Sequence, residues 1–240
     1  MIGRLLGAVQ FLTVVPIPGR TAIPGRAAPF FPVIGAALGA ACGLLFEACQ
    51  KPLGTSLAAL LAISAAIVVS GGLHEDGLAD VADALRAGRS REKMLAVLKD
   101  SRIGAYGAVA LILCICIRWQ ALEHIQMDPV LALASSLALS RASLVVLGAI
   151  TVPVGRGLGA SFSEALTPVV SVIVAVQVVI AAALCGWRGV PMLLATTAII
   201  IAARSYFTHR LGGVNGDCLG ATCLTVESAN LLVLAWHSST

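Results

Sequence analysis

Three carboxylates are the residues of this 240-residue chain most able to do chemistry. Asp76, Asp80 and Asp83 stand at i, i+4 and i+7 in Gly71-Gly72-Leu73-His74-Glu75-Asp76-Gly77-Leu78-Ala79-Asp80-Val81-Ala82-Asp83-Ala84-Leu85. On a helix this spacing projects the side chains within about 60° of one another. Carboxylates so placed repel unless a cation lies between them. An oxygen-only set, with no His or Cys at ligand spacing, favours a hard ion such as Mg²⁺ or Mn²⁺, which commonly completes its shell with substrate phosphate. A solvated acidic loop is the competing reading, and the spacing, the membrane boundary and the bracketing glycines weigh against it. His74 precedes the acidic helix, as a proton acceptor near neutral pH or as a simple polar neighbour.

Cations follow. Arg86, Arg89, Arg91 and Lys93 lead into an amphipathic piece with Met94, Leu95, Val97 and Leu98, suited to a membrane interface. The stretch closes with Lys99-Asp100-Ser101-Arg102-Ile103-Gly104-Ala105-Tyr106-Gly107. Arg grips phosphate oxygens in bidentate fashion, and glycines let backbone N–H groups approach them. Lys99 and Arg102, at a helix start, are the phosphate candidates; Arg89, Arg91 and Lys93 read as membrane anchors. A second polar cluster runs from Arg204 to Ala221, where Gly212, Gly213 and Gly216 predict a turn into the last helix. Asn215 and Asp217 sit at its mouth, as helix caps or as ligands, and Asp217 is placed to complete the acidic cluster.

The elements that position these residues must lie in a membrane. Of the chain, 58% is hydrophobic and 12% charged, with a mean hydropathy of +0.96, whereas soluble domains carry about a quarter charged residues. The expected fold is all-α, a single polytopic transmembrane helix bundle over residues 1–240 with about seven spans. They are Phe30 to Cys49, Thr55 to Gly72, Ala105 to Ala121, Pro129 to Ile150, Pro168 to Cys185, Val190 to Ala203 and Leu219 to Trp236, the sixth being the shortest. Residues Leu5 to Val15 end in Val15-Pro16-Ile17-Pro18 without a small-residue cleavage site, so an interfacial or re-entrant segment is expected there. Seven cysteines without a CxxC pair read as small hydrophobes.

The sixteen Lys and Arg residues orient the bundle. With the N-terminus inside, twelve fall on inner segments and three (Lys51, Arg118, Arg188) on outer ones, with Arg141 left inside the fourth helix. This assignment puts every polar or glycine-rich stretch, residues 74–104, 153–164 and 204–218, on the cytoplasmic face of an inner membrane. Scattered cations without a basic stripe argue against nucleic acid. Polar residues confined to one face suit an enzyme or receptor better than a channel. Arg141 and Glu227 are costly in lipid and should face the interior, as mates or as lining of a cleft.

These motifs resemble the cobalamin synthase family, the adenosylcobinamide-GDP ribazoletransferases. The likeness rests on Gly71-Gly72-Leu73-His74-x-Asp76-Gly77-Leu78-Ala79-Asp80-x-Ala82-Asp83, on Lys99-Asp100-Ser101-Arg102-Ile103-Gly104, and on Gly213-x-x-Gly216-Asp217-x-Leu219-Gly220-Ala221. It extends to Phe11-Leu12-Thr13, Pro16-x-Pro18, Phe31-Pro32-x-x-Gly35, Ser140-Arg141 and Arg156-Gly157-Leu158-Gly159. Departures from the family pattern are Glu75 in place of an apolar residue, Ala84 in place of Gly, Val14 in place of a basic residue, and Asn215 in place of Thr. The resemblance implies catalytic roles for His74, Asp76, Asp80 and Asp83, with Mg²⁺ held by Asp76, Asp80, Asp83 and Asp217. It implies substrate or phosphate binding by Lys99, Asp100, Ser101, Arg102, Arg156 and Asn215. The implied substrates are adenosylcobinamide-GDP and α-ribazole or its 5′-phosphate, with GMP released, and the likeness is compatible with a homo-oligomer or an association with other cobalamin-assembly enzymes. The alternatives are a phosphotransferase of the CDP-alcohol type and a non-catalytic corrinoid transporter or binding protein.

Overall fold

Glycine and proline cut the apolar chain into helices, because neither continues a helix interior without cost. The computed structural model describes residues 1–18, 24–86, 90–155 and 158–236. Its helices are α1 (Ile2–Leu12), α2 (Pro24–Ala27), α3 (Phe31–Leu53), α4 (Thr55–Ser70), α5 (Leu73–Arg86), α6 (Arg91–Val97), α7 (Ala105–Glu123), α8 (Pro129–Ile150), α9 (Leu158–Glu164), α10 (Pro168–Leu184), α11 (Gly189–Leu211) and α12 (Gly216–Ala235). Among the described residues no β-strand forms, and one isolated bridge joins Pro153 to Val214. The chain is thus an all-α membrane helix bundle, as expected.

Among the described residues, five helical stretches are long and apolar enough to cross a membrane, Pro24–Leu53, Ala105–Glu123, Pro129–Ile150, Gly186–Leu211 and Gly216–Ala235. A sixth would be α4 joined to α5 across a 90° bend. The bend follows from Gly71 and Gly72, both in the left-handed region at φ 66° and 67°, where a Cβ is disfavoured. We read α4 as the membrane segment and α5, which carries four acidic side chains, as lying beyond the bend and outside the spanning helices. Helix α10 has 17 residues, about 25 Å at 1.5 Å per residue, short of a roughly 30 Å hydrocarbon core. The segment expected to be shortest is instead 23 residues long, because Arg204 to Leu211 continue the helix instead of forming a turn.

Helices α3 and α8 share the closest seam. Gly35, Gly39 and Gly43 lie one turn apart on α3, and a Cβ at any of them would collide with the α8 backbone at Leu137, Leu133 or Val130. Small residues at this spacing let membrane helices meet backbone to backbone. Around that seam, α12 packs against α5, α7, α8 and α11, and it is deeply buried over much of its length.

A chain of alternating charge crosses this interior. Glu75 on α5 accepts from Arg118 on α7 at 3.1 Å, and Arg118 also donates to Glu227 on α12 at 3.0 Å. The second oxygen of Glu227 meets Arg141 on α8. Arg141 and Glu227 are therefore mates. Arg118 corrects the outer-side assignment: its side chain is 1% exposed and turns into the bundle, because two carboxylates compensate it there. Glu75, the departure from an apolar pattern, is one of those two. The four side chains sum to zero formal charge, and removing one member leaves a buried charge uncompensated. We expect Glu227→Gln to destabilise the protein by about 3–5 kcal/mol, whereas the paired change Glu75→Leu with Arg118→Met costs less than Arg118→Met alone. Thermal unfolding of these three variants and of Glu75→Leu alone in one detergent checks both outcomes; an additive double variant would contradict the coupling.

Candidate active site

The site is built where α5 meets the N-terminus of α12. A Cβ at Gly77 would lie 2.9 Å from the Asp217 carbonyl oxygen and 3.0 Å from its Cα, so the glycine lets the two helices close on one another. That approach brings the carboxylates of α5 into the field of Asp217. Asp80 carries the consequence: its pKa is raised from 3.8 to about 6, first by burial and then by Asp76, Asp217 and Asp83. The Asp217 Oδ2 accepts a 2.7 Å bond from Asn215 Nδ2. Asn215 caps α12 as well, its Oδ1 accepting from Cys218 N at 3.0 Å. Among the described residues, no three Asp, Glu, His or Cys side chains converge at metal-ligating distance. The carboxylates share a field, not yet a coordination sphere.

Asp83 has a defined partner set. Its Oδ2 accepts from Gly104 N at 2.7 Å and its Oδ1 from Gly107 N at 2.9 Å, which satisfies two orphan N–H groups at the start of α7. A Cβ at either glycine would strike that carboxylate. At the neighbouring turn Arg86 Nε donates to Tyr106 Oη at 2.9 Å, with its guanidinium 5.4 Å above the same ring. Ala84 is buried, so the methyl group at this position is accommodated.

Two cavities open beside the carboxylates. The larger, about 790 Å³, is lined by residues from all three stretches assigned to the inner face: Leu73, His74 and Asp76; Arg91, Leu95, Leu98 and Lys99; Val154, Gly155 and Phe162; and Asn215 to Asp217 with Leu219 and Gly220. Phe11, Phe31 and Leu144 complete its wall. The second, about 550 Å³, takes in Ser70 to Leu73, Asp76, Asp80, Ser101 and Ile103. Phe11, Leu73 and Asp76 line both, so Asp76 stands at their junction.

The candidates separate accordingly. Lys99, Asn215 and Asp217 reach the larger cavity and Ser101 the smaller. Arg102 lines neither: it pairs with Asp100 at 2.6 Å, its side chain 87% exposed, and this partner lowers the Asp100 pKa to about 2. Arg91, read as a membrane anchor, lines the larger cavity instead. Its place there depends on the chain folding back over Gly212, beside which the guanidinium lies, and no local motif encodes that. Arg156 lies outside the described residues. His74 is 2% exposed, and neither ring nitrogen has a hydrogen-bond partner. Burial, then Arg141, lowers its pKa to about 3, so it is neutral and a weak base.

The sign of the Asp80 shift makes a prediction. A carboxyl whose folded pKa exceeds its ordinary value is destabilising when ionised, so stability without divalent cations should rise as pH falls from 7.5 through 6 and level off near 4. Unfolding temperatures in detergent with a chelator should show this rise, and Asp80→Asn should flatten it. An unchanged profile in the variant would assign the repulsion elsewhere.

With this geometry described, similarity to known proteins is informative. Residues 4–235 match the family model described as cobalamin-5-phosphate synthase. The chain is 38% identical to the adenosylcobinamide-GDP ribazoletransferase of Bradyrhizobium diazoefficiens, over 98% of this chain and 94% of that protein. It is 34% identical to the protein of that name from Chlorobaculum tepidum, over 98% and 96%, and 36% identical to that from Geotalea daltonii, over 95% and 94%. No solved structure matches. The chain belongs to the cobalamin-5-phosphate synthase family.

Proposed function

We propose that this protein is a membrane-bound adenosylcobinamide-GDP ribazoletransferase that acts in cobalamin synthesis. One observation carries the reading: three polar stretches, far apart in a chain of this family, line one cavity beside the shared field of Asp76, Asp80, Asp83 and Asp217. The donor substrate is adenosylcobinamide-GDP. The acceptor is α-ribazole or its 5′-phosphate, and the site faces the cytoplasm, since twelve of sixteen Lys and Arg fall on that side.

In this reaction a ribose hydroxyl of the acceptor attacks the phosphorus joined to cobinamide. A new O–P bond forms, the P–O bond to the GMP unit breaks, and GMP departs with the bridging oxygen. Asp76, Asp80, Asp83 and Asp217 form the set that would hold Mg²⁺. Their all-oxygen donors suit a hard ion, and the Asp80 pKa, raised first by burial, is raised further by three neighbouring carboxylates whose charge a cation would relieve. When bound, the ion supplies neutralisation of charge on the diphosphate oxygens. Lys99 and Arg91, which line the larger cavity, add positive charge for the phosphates. The hydroxyl proton passes to a carboxylate of the set and not to His74, whose pKa burial lowers to about 3. Asp83 holds the start of α7 through its two backbone contacts.

Purified protein in detergent should release GMP from adenosylcobinamide-GDP when α-ribazole and Mg²⁺ are both present, and a chelator should stop it. Asp80→Asn should lower the rate by ~10²-fold or more while membrane insertion is retained. Near-normal turnover by that variant would remove the carboxylate assignment, and GMP release without acceptor would indicate hydrolysis instead of transfer.

A further inference from the structure

We infer that the displacement runs from the smaller cavity into the larger: the acceptor hydroxyl reaches the phosphorus past Asp76 from the side of Asp80 and Ser101, and GMP leaves toward Arg91 and Lys99. This rests on the transferase reading above and adds the direction of the reaction across the site. The two cavities differ in what their walls offer. Arg91 and Lys99 line the larger one. Among the described residues the smaller has neither Lys nor Arg in its lining; it offers Asp76, Asp80 and Ser101, the Ser70 hydroxyl being spent on the Ile67 carbonyl at 3.1 Å. A phosphate is drawn to the first set of groups. A ribose hydroxyl, which donates to a carboxylate oxygen and needs no cation, suits the second.

These side chains have surface to give: Asp76, Arg91, Lys99 and Ser101 are exposed and Asp80 is half-buried. Among the described residues neither Arg91 nor Lys99 takes part in an ion pair, unlike Arg102, which Asp100 already holds. Arg91 has a fixed place as well. It opens α6, and its guanidinium lies against Gly212, where a Cβ would come within 3.1 Å of it. Gly212 closes α11 in the left-handed region at φ 78°, so the cation bridges α6 and the turn that leads to Asn215 and Asp217. Lys99 follows the same helix, its N–H donating to the Ala96 carbonyl at 3.2 Å.

Phosphoryl-group transfer sets the attacking and leaving oxygens roughly in line, on opposite sides of phosphorus. Asp76 lines both cavities, Asp80 and Ser101 the smaller alone, and Arg91, Lys99 and Asp217 the larger alone. A phosphorus at the junction therefore has its two apical directions in different cavities. The new O–P bond forms on the smaller side, where the hydroxyl proton goes to a carboxylate. The P–O bond to GMP breaks on the larger side, and its electron pair stays with the GMP phosphate, whose gained negative charge arises where two cations stand. The reverse course would release that anion beside carboxylates in a cavity lined by no Lys or Arg.

Variants at exposed positions separate the two sides. GMP binding to the purified protein, measured by calorimetry in detergent with Mg²⁺, should weaken about tenfold or more in Arg91→Ala and in Lys99→Ala, as for a lost charge-assisted hydrogen bond, while the KM for α-ribazole stays unchanged. Arg91→Lys, which keeps the charge and loses the planar fork, should fall between wild type and Arg91→Ala. Ser101→Trp should do the opposite, raising the KM for α-ribazole about tenfold or more and leaving GMP binding as it was. Failure of the wild type to bind GMP, GMP binding indifferent to both cations, or a Ser101→Trp protein that loses GMP affinity or keeps its KM for α-ribazole would overturn the assignment. GMP binding requires no turnover, so these results stand apart from an absence of GMP release by the wild type, which would defeat the transferase reading itself.

Discussion

Charge inside a hydrocarbon medium has to be cancelled locally, and this constraint fixes the active-site helix. Glu75, Arg118, Glu227 and Arg141 alternate in sign across α5, α7, α12 and α8. None of the four can leave without stranding a partner, so the four helices are held at one relative depth. Helix α5 sets Val81 and Ala84 in the hydrophobic core, with Leu78 packed against it. Polar anchors add to this packing, Glu75 at one end and Asp83 at the other, where two α7 N–H groups are bonded. Between these ends the remaining carboxylates, Asp76 and Asp80, face open space.

Small residues turn that anchoring into proximity. Gly77 allows α5 to approach the start of α12, and Gly104 and Gly107 leave room for the Asp83 carboxylate. Closer helices bury Asp80 and bring Asp76, Asp217 and Asp83 toward it, and both effects raise its proton affinity. The fold thus tolerates a locally unfavourable arrangement because the ion chain and the helix-start contacts oppose it. Destabilised groups of this kind are frequent where chemistry occurs.

The parts of this design that were legible in the sequence are those encoded by local spacing. Carboxylates at helical intervals, and an Asn followed by Gly and Asp before the last helix, each predict their own geometry. The unreadable parts depend on which helices become neighbours. Arg118 looked like an outer-face cation because nothing nearby in sequence pairs with it; its partners are 43 and 109 residues away. Arg91 resembled a membrane anchor for the same reason. Phe11, Phe31 and Phe162 are ordinary apolar residues until three helices stack their rings, and nothing in their spacing signals a shared wall.

The arrangement also accounts for placing such a reaction in a bilayer protein. In the proposed transfer a hydroxyl and a diphosphate must meet at one phosphorus atom beside several carboxylates. The bundle juxtaposes a large cavity, walled by Phe and Leu and edged by Asp76, Arg91, Lys99, Asn215 and Asp217, and a smaller one that holds Asp80, with Asp76 common to both. In a small soluble domain a cavity of about 790 Å³ would take a large share of the core that stabilises the fold. In a helix bundle, whose outer faces are solvated by lipid, stability rests on helix packing and buried polar contacts, so the interior can be hollowed where the substrate needs it.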